Sequence, residues 1–86
     1  MAQYIEKSGK SIKEAIVVLD VENGREGIRA EYEYIEKKFG RRGIDWNLEM
    51  QYLLQENEMA YDQIEIRLSD GSIETIYFNI TFFFGK

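Results

Sequence analysis

Asp20 and Glu22 stand two residues apart at the end of an apolar run. That spacing puts two carboxylates on one face of an extended strand, where they could hold a hard cation with water completing its shell. It better suits strand-end polar residues leading into a turn, since Asn23-Gly24 follows directly, so no metal site is expected. Asp62 is in phase with Ile64, Ile66 and Leu68, which points a carboxyl inward at the start of a strand; there it needs a donor, contact with water or a proton of its own. Together with Tyr61, these are the groups an enzyme would have to use here, because the chain has neither Cys nor His.

Two further fragments carry the outline of nucleotide chemistry. Gly9-Lys10-Ser11 matches the end of a phosphate-binding loop, and Ile16 to Asp20 matches an apolar strand ending in a magnesium-binding acid. The loop motif needs a glycine five residues before Gly9, where Tyr4 stands, and the four residues between Ser11 and Ile16 cannot supply the intervening helix. No cofactor is expected. Lys37, Lys38, Arg41 and Arg42, with Arg25 and Arg29 nearby, form the only dense basic patch, but Glu33 and Glu36 are mixed into it. Its simpler role is to complement the C-terminal end of a helix, so direct nucleic-acid binding is not expected.

These groups must be positioned by one small domain spanning residues 1–86. The absence of Cys excludes disulfides, thiolate zinc sites and cysteine nucleophiles. The chain opens Met1-Ala2-Gln3-Tyr4 without a basic stretch leading into an apolar run, and no run approaches a membrane span, so a cytoplasmic protein is the expectation. The net charge of -5 is uneven: residues 1–43 hold nine bases against eight acids, whereas residues 44–86 hold two bases against eight acids. The second half is therefore the acidic one, and would attract a basic partner.

Residues 15–19, with Asp20 and Val21, read as a β-branched strand. Ile28, Tyr32, Ile35 and Phe39 recur at helical spacing, and Gly40 closes the element, predicting a helix over about 26–39 that buries that stripe. From Trp46 onward apolar and polar residues alternate. Trp46 to Leu54 reads as a strand with Trp46, Leu48, Met50 and Tyr52 inward, and Glu56-Asn57-Glu58 as a turn in which Asn57 accepts positive φ. Two more strands follow, with Ile64 and Ile66 facing the same way as Ile76, Phe78, Ile80 and Phe82. A two-residue Asp70-Gly71 loop would put these sets on opposite faces, whereas a three-residue loop of Ser69, Asp70 and Gly71 pairs Ile64 with Ile76 and Asp62 with Phe78. The expected fold is α+β: a two-layer βαβββ unit, one helix on a mostly antiparallel four-stranded sheet ending in a three-stranded meander, with the first strand joined through the helix and open to parallel pairing.

One helix covers one face of such a sheet. The other would display Leu53, Tyr61, Ile73, Tyr77 and Phe83, rimmed by Glu49, Gln51, Gln63, Glu65 and Thr75, an aromatic patch with a polar border of the kind found at protein interfaces. The alternative cover is the N-terminal segment carrying Tyr4, Ile5 and Ile12. The expectation is a non-enzymatic binding or regulatory module that meets a protein partner, or a second copy as a homodimer, through this face or a free edge beside Phe82 to Phe84. Two other classes remain: an acidic inhibitor or nucleic-acid mimic presenting Asp45, Glu49, Glu56, Glu58, Asp62, Glu65, Asp70 and Glu74, and a carboxylate enzyme, which would need two of Asp20, Glu22, Asp62 and Tyr61 in one pocket.

Overall fold

The computed structural model describes residues 2–85; Met1 and Lys86, the ends of the predicted domain, lie outside the described residues. The elements are β1 (Gln3–Ile5), β2 (Ile16–Leu19), α1 (Gly24–Phe39), β3 (Trp46–Glu56), β4 (Met59–Leu68) and β5 (Ile73–Asn79). One helix packs on a five-stranded mixed sheet of order β1-β2-β5-β4-β3. The expected βαβββ core is present, with β3, β4 and β5 as an antiparallel meander and β2 parallel to β5. The added strand is β1, which pairs antiparallel with β2 and sends the Tyr4 hydroxyl to donate to the Ala30 carbonyl at 2.8 Å.

The two meander turns follow their residues. Asn57 and Glu58 both have positive φ and close Glu56 against Met59, as a type I′ hairpin requires. Ser69 to Gly71 form the three-residue loop with Gly71 at φ 90°, and the register is Ile64 to Ile76 and Asp62 to Phe78. This pairing puts Ile64, Ile66, Ile76 and Phe78 on the helix side, fully buried with Ile16 and Val18 or nearly so.

Three side-chain placements differ from expectation. First, β3 carries a bulge between Leu48 and Met50. One extra residue reverses the alternation, so Met50 and Tyr52 point away from the helix, opposite Glu65 and Gln63, while Gln51 and Leu53 point toward it, opposite Ile64 and Asp62. Leu53 therefore does not belong to the outer face. Arg67 clamps the bulge, donating from Nη2 and Nε to the two Glu49 carboxylate oxygens at 3.0 and 3.2 Å and from Nη1 to the Gly71 carbonyl at 3.1 Å.

Second, the chain leaves the sheet after Asn79. The amides of Phe83 and Phe84 donate to the Ile80 carbonyl, forming a turn that carries Phe83 under the helix and leaves Phe82 exposed. Phe83 is thus core, 3% exposed, and not part of the outer patch. Third, the helix is rotated: it buries Gly27, Ala30, Glu31, Tyr34 and Ile35, while Ile28 is 45% exposed. Small residues on that side explain the rotation, since a Cβ on Gly27 would sit 2.3 Å from the Phe83 ring. Asn23 caps the helix by accepting from the Glu26 amide.

Candidate functional site

The outer face of the sheet is built from alternate residues of four strands: Val17, Tyr61, Gln63, Glu65, Ile73, Thr75, Tyr77 and Asn79, with Met50, Tyr52 and Leu54 added by the bulge. At one end of this face the chain makes a cleft of about 700 Å³. Its floor is Val17, Tyr61, Tyr77 and Asn79. One wall is the loop between β1 and β2, bearing Lys7, Lys10 and Lys13, and the other is the β3–β4 turn with Glu56 and Asn57.

The loop is anchored at Gly9. Its carbonyl accepts from the Tyr77 amide at 2.7 Å and its amide donates to the Glu14 carbonyl at 2.7 Å, so this residue occupies the sheet position beside β5 that β2 is too short to reach. Gly9 has φ 71°, and a Cβ there would lie 2.9 Å from the Ile16 side chain. Only glycine lets the loop come this close to the sheet. The N-terminal segment accordingly divides. Tyr4 goes to the helix side, whereas the loop with Ile12 forms a wall over the outer face.

Of the five residues expected on this face, Tyr61 and Tyr77 meet at the cleft floor. Tyr61 is 8% exposed, and its hydroxyl donates to the Met59 sulfur at 3.3 Å. Ile73 lies on the same face at the far end of β5, opposite Arg67, and is exposed. Leu53 and Phe83 lie on the helix side, for the reasons given above. The three lysines were missed as site residues because their loop has no periodicity to place it; Gly9 was its one visible signal.

No protein-family model, curated protein or solved structure matches this chain. What the site can do is therefore a matter of its own geometry.

Beneath the helix lies a second feature that periodicity concealed. Glu31 is fully buried in the helix, and neither of its carboxylate oxygens makes a hydrogen bond of ordinary geometry. Burial pushes its pKa up, and the Asp62 carboxyl raises it further, as acceptor from the protonated form and as a neighbouring negative charge, to about 10. Asp62 is itself raised by burial, and is partly offset by the hydrogen bond it receives from Glu31. Buried away from water beside a second carboxyl and with no cation near it among the described residues, Glu31 is protonated and neutral at pH 7. Asp62 lines a small hollow of about 200 Å³ with Ile28, Leu53 and Phe83.

The other sequence candidates do not converge. Tyr61 lines the outer cleft and Asp62 the hollow on the opposite face, and Asp20 and Glu22 line neither. Among the described residues no group of three or more acids is placed to hold a metal, and no helix is long and apolar enough to cross a membrane. Several acids of the second half are bound locally: Asp45 accepts from the Arg41 amide, Glu49 is held by Arg67 and Asp70 by Ser72. Arg42, from the basic patch, lies over the Tyr32 ring at 4.9 Å, and Tyr32 stacks on Trp46.

Proposed function

We propose that this chain is a non-enzymatic binding module that holds an extended, acidic protein segment in the outer-face cleft. The observation that carries this reading is the junction of two tyrosine rings with three lysines in one concave site on an otherwise acidic protein. Half-buried Tyr77 offers rigid apolar area with a polar tip, which suits the centre of a protein contact, and buried Tyr61 completes the floor beside it. Lys7, Lys10 and Lys13 set the sign of the partner, with Glu56 the only acid among the lining residues. The rest of the molecule carries an excess of negative charge, which repels a uniformly charged nucleic-acid backbone over its whole length but a short acidic segment seated against the three lysines far less, and this favours a peptide as the acidic ligand.

A displayed library of random peptides tests this directly. Enrichment of sequences rich in Asp and Glu with an apolar anchor is the expected result, with loss of capture on Tyr77→Ala and a switch toward basic peptides on Lys10→Glu with Lys13→Glu. Backbone amide shifts on titrating a selected peptide should centre on Val17, Tyr61, Tyr77 and Asn79. Failure to enrich any acidic sequence, or stronger binding of a single-stranded oligonucleotide than of every peptide, would overturn the assignment.

A further inference from the structure

We infer that the outer edge of β3 is a self-association site, at which two copies pair antiparallel about a two-fold axis through Leu53 and join their sheets into one. Of the residues lining the cleft only Glu56, at the end of the strand, takes part in this.

The strand order leaves β1 and β3 at the sheet edges. β1 is three residues long, but β3 has eleven. At its start β3 is covered, because Arg42 bridges Trp46 and the Gly43 amide donates to the Trp46 carbonyl. Beyond that, among the described residues, no backbone group pairs with its outer edge.

Which groups face outward follows from the turn. In a two-residue hairpin the closing pair, here Glu56 and Met59, exchanges hydrogen bonds, and alternation makes Leu54–Tyr61, Tyr52–Gln63 and Met50–Glu65 the other bonded pairs. The N–H and C=O groups of Gln51, Leu53 and Gln55 are consequently aimed off the sheet. Their general complement is another strand.

Three observations make that strand a second copy. Natural edges are usually protected by lysine, proline, shortness or a bulge; here the bulge at Glu49 interrupts the edge, but the six residues beyond it, Met50 to Gln55, contain no charge and no proline. A net charge of -5 opposes the approach of an identical chain, but this stretch contributes none of it. The register is also self-complementary. Centring on Leu53 pairs it with its own symmetry mate and Gln51 with Gln55 of the second copy, using every outward-facing residue between the bulge and the turn. Centring on Gln51 would run into the bulge, and centring on Gln55 would run into the turn. On the outer face Tyr52 then opposes Leu54 and Leu54 opposes Tyr52, and Glu56 falls opposite Met50 rather than opposite another acid.

Sedimentation equilibrium over a concentration series should give a mass rising to twice 10.2 kDa. Leu53 is 52% exposed, so Leu53→Lys should keep the fold by circular dichroism and return the mass to that of one chain. The register is tested separately. Because the chain has no Cys, mixing Met50→Cys with Glu56→Cys protein under mild oxidation should give a covalent dimer, whereas each variant alone should not. A wild-type chain that stays single at every concentration, a Leu53→Lys variant that stays double, or cross-linking of Met50→Cys with itself would each refute the proposal. Should Leu53→Lys fail to fold, the mixed cross-link decides alone.

Discussion

Glu31 is the residue whose chemistry most affects the molecule. Its pKa in the folded protein, about 10, lies far above the value of 4.5 usual for Glu, so folding takes up a proton anywhere between those limits. The sign follows from linkage: a raised acid contributes its full stability below about pH 4.5 and loses it as pH rises through the folded pKa, so stability should fall from pH 5 toward pH 10. Asp62, also raised, acts in the same direction. At pH 7 keeping Glu31 protonated costs about 3 kcal/mol relative to an acid that never ionises. Glu31→Gln should therefore raise the urea midpoint at pH 7 and flatten the slope between pH 5 and 9, measured by denaturation at a series of pH values. An unchanged slope would mean that Glu31 is not the group taking up the proton. Nothing in the spacing of residues in α1 marks Glu31 as buried. It lies beside the Ile28-Tyr32-Ile35 stripe, and only the rotation of the helix carries it inside.

At the scale of elements, the helix and the C-terminal turn constrain each other through Gly27 and Phe83. Gly→Ala within a helix ordinarily stabilises by about 1 kcal/mol. Here the added methyl would meet the Phe83 ring at 2.3 Å, and overpacking of that kind costs roughly 1–3 kcal/mol. Gly27→Ala should therefore destabilise, and Gly27→Ala with Phe83→Leu should recover part of the loss. The pair also shows what could be read in advance. The Ser69–Gly71 loop was legible because only one loop length brings the apolar faces of β4 and β5 together, and Asn57 because few residues accept positive φ. Phe83 was not legible, since Phe82, Phe83 and Phe84 offer three equivalent rings and the choice depends on a glycine more than fifty residues earlier. β1 escaped because three residues are too few to show a period.

For the molecule as a whole, the sheet order divides strands into those with two neighbours and those with one. β4 is flanked on both sides over most of its length, whereas β5 meets β2 only at Phe78 and Asn79, so the amides of β4 should exchange most slowly with solvent. The amides of Gln51, Leu53 and Gln55 point off the sheet, so a lone chain should exchange them quickly. Self-pairing should protect these three in concentrated wild-type protein and leave them unprotected in Leu53→Lys, a contrast readable residue by residue by amide hydrogen exchange. The outer face was predictable in outline, as a surface the helix could not reach, and Tyr61 and Tyr77 were placed on it by alternation alone. Its cleft was not, because the wall is a loop whose path is set by one glycine carbonyl meeting one strand amide.

The bulge at Glu49 gives β3 two halves that are out of step with each other. Removing that single position would let Met50 follow Leu48 as a regular ladder opposite Glu65 and Ile66, with Leu53 still toward the helix and Tyr52 still outside, and would leave Arg67 without its carboxylate partner. The extra residue takes up the mismatch between a sequence that alternates without a break and a far half whose facing is fixed by the hairpin turn, so the strand shows Met50 and Tyr52 to the world instead of burying them.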